Sequence, residues 1–150
     1  MIRCRIDDEH EDGRYFEARL YPSKRLMHAA TRRLEHRAGG DESLAPDVQA
    51  AVLHQHKETY DAATDTWILD TFAGFIMLHA NAAPAEYLAH EATHAAIALY
   101  RERHRGSARS LARSDTPKDV ANEEQLAWSV GKLTRQLVNF MHDAGVWEST

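Results

Sequence analysis

The chain has 150 residues, a net charge of −5 and a pI near 6.0. This length predicts a single domain, residues 1–150, and the mild acidity excludes the strongly basic surface of a typical nucleic-acid-binding protein. No stretch approaches the ~18 consecutive apolar residues of a membrane span, the N-terminus lacks the apolar segment of a signal peptide, and a single cysteine, Cys4, excludes an intrachain disulfide. We therefore expect a cytoplasmic protein that binds neither nucleic acid nor membrane, and the sequence leaves its oligomeric state open.

The first part of the chain predicts two strands and a helix. Residues 3–6 and 15–21 alternate in part between apolar and polar side chains, which is typical of a β-hairpin. Ser23 is a good N-cap for an amphipathic helix over residues 24–38, and Gly39 and the glycine after it would end that helix. The apolar stripe of this helix predicts core packing.

The middle of the chain is less regular. Residues 41–46 predict a loop, and residues 47–60 fit either a helix or a strand. His54 and His56 would share one face of a strand and could bind zinc there, but no third ligand is near them in sequence. A surface strand or helix is therefore the simpler interpretation of this segment.

Two apolar segments follow, with a turn at residues 61–65 before them. Residues 67–69 and 72–80 are rich in residues that favour strands, and the second segment contains Gly74. The pattern predicts two strands that could form one hairpin.

Two helices complete the predicted fold. Pro84 stands where a first helical residue should, and that helix runs to about His104. After a predicted surface loop at residues 105–115, Thr116 and Pro117 begin a last helix that ends near residue 142. The expected core stripes are Leu88, Ala92, Ala95 and Leu99 in the first helix and Leu126, Val130, Leu133, Leu137 and Phe140 in the second.

The segment His90-Glu91-Ala92-Thr93-His94 contains the candidate metal-binding and catalytic residues. Two histidines four residues apart project from one face of a helix, where both can hold one zinc ion. Glu91 follows the first ligand and can reach a water molecule on that zinc. This is the HExxH signature of zinc metallopeptidases.

A catalytic zinc usually has three protein ligands and one open position. The next candidates are Glu123 and Glu124 in the last helix, with 29 residues between His94 and Glu124. We prefer Glu124, because Ala127 and Gly131 follow it at helical spacing and would let the two helices approach closely. Glu123 lies on the apolar stripe and stays open as the alternative.

An HExxH helix followed by a helix with a glutamate ligand resembles the gluzincin branch of zinc metallopeptidases. The sequence His-Glu-Ala-Thr-His-Ala-Ala is most similar to the motif of compact zincins from phages and bacteria. The resemblance covers residues 74–138. It implies a small α+β zincin-like domain, in which an N-terminal helix lies on a short mixed sheet and two packed helices follow. It also implies that the strand before the motif lies at the edge of the sheet and pairs with the substrate. The metzincin branch is disfavoured, because Ile97 stands where its glycine would be.

The expected function is zinc-dependent hydrolysis of a protein or peptide substrate. His90, His94 and Glu124 would hold Zn²⁺, and Glu91 would activate the attacking water. A further side chain should stabilise the oxyanion; the candidates are Tyr100, Arg101, His104 and His142. The alternatives are a zincin-like binding or regulatory protein without proteolysis, and a plain α+β domain with an accidental motif.

Overall fold

The computed structural model describes residues 1–40, 44–81, 85–104 and 117–147, and it confirms the α+β class. The strands are β1 (Ile2–Asp7), β2 (Tyr15–Tyr21), β3 (Ala51–His54), β4 (Glu58–Asp61), β5 (Thr66–Leu69) and β6 (Phe72–His79). The helices are α1 (Lys24–Arg37), α2 (Ala85–Arg103) and α3 (Pro117–Asp143). The predicted helix start at Pro84, the N-cap at Thr116, the loop at residues 105–115 and the first part of the loop at residues 41–46 lie outside the described residues.

Four strands form a mixed sheet in the order β1-β2-β6-β3. β1 and β2 are antiparallel, as the hairpin pattern predicted, whereas β2 and β6 are parallel and β6 and β3 are antiparallel. β4 and β5 pair with each other in a separate two-stranded sheet. The ambiguous segment at residues 47–60 therefore contains two strands, and its helical alternative is wrong.

β6 is buried on both faces of the sheet. Ile76 and Leu78 pack into the larger core with α2 and α3, while Phe75 and Met77 pack with Met27 and its neighbours on α1. The domain thus has three layers, with α1 on one face of the sheet and the α2–α3 pair on the other. A strand covered on both faces needs apolar side chains at successive positions, which explains the continuous apolar run.

Two expectations about β6 are wrong. The resemblance placed this strand at the sheet edge, but β6 lies between β2 and β3, and β3 is the edge strand beside α2. Residues 67–69 do not form a hairpin with β6 either, because β5 pairs with β4. β6 cannot be the edge strand, because its backbone pairs with β2 on one side and with β3 on the other.

Gly74 lets β3 approach β6. Its φ is +137°, and a Cβ at this position would lie 2.0 Å from the Leu53 carbonyl oxygen. A register shift in the β2–β6 pairing falls beside it, and Gly74 is the partner of His54 in the β3–β6 pairing. The glycine therefore fixes the position of His54 at the end of β3.

The helices agree closely with their predicted patterns. The Ser23 hydroxyl accepts a hydrogen bond from the Leu26 N–H at the start of α1, and Gly39 follows the helix with φ +82°. The predicted stripe of α2 is fully buried, and its alanines allow close packing with α3. No helix within the described ranges is both long and apolar enough to cross a membrane.

Candidate active site

His90 and His94 lie together on α2. Their Nε2 atoms are 3.0 Å apart, and their rings meet edge to face at 78° with centroids 4.6 Å apart. Both residues are exposed. The predicted pairing of these two side chains on one helical face is therefore present, with two nitrogens directed at one another.

Glu91 differs from the two histidines in its surroundings. It is only 5% exposed, although it lines the same cavity. Burial raises the pKa of the Glu91 carboxyl, and the neighbouring His90 opposes that rise only in part. A carboxylate with a raised pKa accepts a proton more readily than an ordinary surface glutamate does.

The cavity has a volume of about 350 Å³ and two walls. α2 contributes one wall, and β3 with the residue before it contributes the other. The lining residues are His90, Glu91, His94 and Ala98 from α2 and Ala50, Ala51, Val52 and His54 from the other wall. The HExxH segment thus faces an edge strand across a cleft.

His54 was not among the predicted catalytic residues. Its Nε2 lies 3.4 Å from Glu102 Oε1, and Glu102 also contacts Nδ1 of His56 at 2.9 Å. Burial lowers the pKa of His54, while the charge of Glu102 acts in the opposite direction. Because an extended strand places His54 and His56 on one face, their spacing was the sequence signal for this wall, but nothing local in the sequence tied it to α2.

Glu124 is not brought to the histidine pair. It is exposed on α3 and lines a different cavity, with Trp128 and Gly131 among its neighbours. Glu123 is half-buried, as its position on the apolar stripe suggested, and it does not line the histidine cavity. Among the residues that the structure describes, no three His, Cys, Asp or Glu side chains form a group that could hold a metal ion.

The four candidates for oxyanion stabilisation also lie outside this cavity. Tyr100 is buried against the ring of His104, which contacts the Gln125 side chain through its Nε2 at 3.1 Å. Arg101 is exposed. His142, near the C-terminal end of α3, packs against Trp147, which follows that helix. His54 is the histidine on the opposite wall that faces the HExxH segment.

Comparison of the chain with protein-family models, with curated protein sequences and with solved structures returns no match.

Proposed function

We propose that this chain is a zinc-dependent peptidase of the zincin type whose catalytic base is Glu91. The observation that carries the proposal is the shared cavity of His90, Glu91 and His94, in which two exposed imidazoles flank a buried carboxylate. An accidental motif on a solvated helix face would not be expected to bury its charged member. The lone Cys4 supports a cytoplasmic location as part of the same proposal.

The histidine pair fits a zinc ion. Two nitrogen ligands of a tetrahedral zinc lie roughly 3.3 Å apart, because each zinc–nitrogen bond is about 2.0–2.1 Å long. The Nε2 atoms of His90 and His94 are 3.0 Å apart and need only a small adjustment to reach that separation. When bound, zinc supplies Lewis-acid polarisation of a carbonyl and lowers the pKa of water.

Glu91 moves the proton in the proposed reaction. Its carboxylate accepts a proton from the attacking water and delivers it to the amine nitrogen that leaves. The group must first take a proton and then hold it until the peptide bond breaks, and a buried carboxyl group suits both steps. Burial also excludes bulk water that would compete for this proton.

β3 offers a binding surface for the substrate backbone. It is an edge strand of the described sheet, and it forms the wall opposite the HExxH segment. A peptide in extended conformation can add to such an edge through main-chain hydrogen bonds. The role first expected of the strand before the motif therefore falls to β3 in this proposal.

His54 is the proposed oxyanion partner. It stands on the β3 wall, and the Glu102 carboxylate contacts its Nε2 at 3.4 Å. An imidazole N–H oriented by a carboxylate can donate to the carbonyl oxygen as negative charge develops there. Glu124 stays the predicted third zinc ligand, with Glu123 as the alternative, although Glu124 lines a different cavity from that of His90 and His94.

A zincin-like binding or regulatory protein is the second candidate. The placement of Glu124 in another cavity favours it, because a two-histidine site without a carboxylate ligand would hold metal weakly. The burial of Glu91 beside the histidines favours the peptidase.

Cleavage of unfolded casein by zinc-loaded wild type and by Glu91→Gln tests the choice. We expect the variant to keep its zinc and to lose about 10²- to 10⁴-fold in kcat, because only the proton transfer is removed. Glu86→Gln is the matched control, since Glu86 is an exposed glutamate in the first turn of the same helix. Equal cleavage by wild type and Glu91→Gln would contradict the role of Glu91, and zinc binding without any cleavage would favour the binding protein.

A further inference from the structure

A second cavity lies beside the C-terminal end of α2. Its volume is about 410 Å³, and the β1–β2 turn, β5, α2 and α3 all contribute to its walls. Two arginines and two carboxylates line it: Asp12, Arg14, Glu102 and Arg103. Of these side chains, the proposed peptidase mechanism uses only Glu102, through its contact with His54.

Arg14 is buried in this wall without a hydrogen-bond partner. Its side chain is 4% exposed, and none of its three guanidinium nitrogens forms a hydrogen bond to another described residue. Glu102 Oε2, its ion-pair partner, is 3.8 Å from Nη1, too far for a hydrogen bond. A guanidinium group carries five N–H donors, so this burial leaves an unusual number of donors unsatisfied.

Arg103, in the same wall, differs from Arg14 because its guanidinium group donates hydrogen bonds to carboxylates. Its Nη2 donates to Asp8 Oδ1 at 2.8 Å and to Asp12 Oδ1 at 2.9 Å, and its Nε donates to Asp12 Oδ2 at 2.6 Å. Both aspartates are thus engaged by Arg103, and Glu102 is engaged by His56. Among the described residues, the carboxylates of this wall therefore leave the guanidinium donors of Arg14 without an acceptor.

We propose that this cavity binds a carboxylate of the peptide substrate, held by the guanidinium of Arg14. A carboxylate matches the planar fork of an arginine with two parallel hydrogen bonds, and it would supply the hydrogen-bond acceptors that the buried group lacks. The identification of the ligand as a peptide rests on the proposed function; the preference for a carboxylate rests on Arg14 alone. Burial lowers the pKa of Arg14, and the charges of Glu102 and Asp12 act in the opposite direction.

The two cavities meet at the His54–Glu102 contact. His54 lines the histidine cavity, Glu102 lines the Arg14 cavity, and their side chains are 3.4 Å apart. His94 and Glu102 are eight residues apart on α2, a distance of about 12 Å along the helix axis. An extended peptide covers that distance in roughly three to four residues. The carboxylate would therefore belong to a C-terminus or an acidic side chain three to four residues from the cleaved bond.

The test follows the Arg14 Nε–H resonance of the full metal-free chain during titration with four small probes. N-acetylglycine carries the carboxylate of a C-terminus, and the α-amide of N-acetylglutamic acid carries that of an acidic side chain. N-acetylglycinamide and the α-amide of N-acetylglutamine are their uncharged controls. We expect saturable shifts with one or both carboxylates and none with the amides, and the carboxylate that binds more tightly identifies its source.

Arg14→Gln should weaken carboxylate binding about 10- to 100-fold, followed through backbone amides of Glu102 and its neighbours. Arg37→Gln, an exposed arginine at the end of α1, is the matched control and should bind as the wild type does. The proposal is overturned if the Arg14 resonance ignores both carboxylates, or if the amides shift it equally. These measurements need neither metal nor cleavage, so carboxylate binding by a chain that cleaves nothing would refute the peptidase and leave this pocket standing.

Discussion

Glu91 is the residue on which the proposed chemistry depends. Its neighbours in the motif, His90 and His94, are exposed, whereas Glu91 is 5% exposed and lines the cleft. This difference in exposure agrees with the two functions expected of the motif, metal binding by the histidines and proton transfer by Glu91. Exposed imidazoles can take up a metal ion from solvent, and burial raises the pKa of a carboxylate base.

Replacing His54 distinguishes between two possible roles of this residue, stabilisation of the oxyanion and binding of zinc. We expect His54→Ala to lower kcat about 10²- to 10³-fold with zinc retained, because it removes a donor to the developing oxyanion. The measurement is steady-state cleavage of a peptide together with zinc content. His36→Ala, an exposed histidine on α1, serves as the control. Loss of zinc from His54→Ala would instead make His54 a metal ligand, and an unchanged kcat would remove it from the mechanism.

At the scale of elements, the end of α2 is tied to the β1–β2 turn by charge. Arg103 binds Asp8 and Asp12 of that turn, and Ser129 on α3 donates a further hydrogen bond to Asp8 at 2.7 Å. The Asp8 side chain is 1% exposed and that of Arg103 is 10% exposed. This network fixes the end of the helix that carries the HExxH segment.

Arg103→Met should therefore destabilise the protein strongly. Removing one partner leaves the buried Asp8 carboxylate without its charge partner, at a cost of about 3–5 kcal/mol in the free energy of unfolding. Urea denaturation measures the change. Arg135→Gln is the matched control, because Arg135 pairs with Glu9 at an exposed site and such pairs contribute at most about 1 kcal/mol. Equal effects of the two substitutions would show that the network does not stabilise the fold.

At the scale of the whole molecule, the same network predicts the acid limit of stability. Burial alone would raise the pKa of Asp8 and Asp12, but hydrogen bonds from Arg103 and other donors lower both below the ordinary value of 3.8. The folded state therefore binds fewer protons than the unfolded chain near that pH. This contribution to stability is complete above pH 3.8 and is lost as the pH falls through the lower folded-state values.

Unfolding free energies measured by urea between pH 3 and pH 6 should accordingly fall at the acid end, roughly below pH 4. In Arg103→Met the fall that belongs to these two aspartates should be largely absent, because their pKa values no longer lie below those of the unfolded chain. If the unfolding free energy of wild type and variant decreased identically at acid pH, the decrease could not be attributed to Asp8 and Asp12.

The sequence predicted those features that depend on near neighbours in the chain. The Ser23 cap, the α2 stripe and the pairing of His90 with His94 all follow from spacing within a few helical turns. The burial of β6 on both faces was also readable from its unbroken apolar run, but that run does not give the position of the strand in the sheet, which the family resemblance assigned to the edge.

Features that depend on distant parts of the chain were missed or left open. β3 has only four residues, too few for its period to distinguish strand from helix. Arg14 and Glu102 meet only because the β1–β2 turn packs beside the end of α2, and no local pattern marks either residue. Glu124 stays a predicted ligand, and its face of α3 lines a cavity other than that of the histidine pair.

Zinc stoichiometry and affinity of the metal-free chain after reconstitution test the central claim most directly. We expect one zinc ion per wild-type chain, an affinity lower by more than about 100-fold in His94→Ala, and wild-type behaviour in the control His36→Ala. Matched Glu124→Gln and Glu123→Gln variants identify the third ligand in the same titration. A wild type that binds no zinc, or a His94→Ala variant that binds it as tightly as the wild type, would contradict the proposed metal centre.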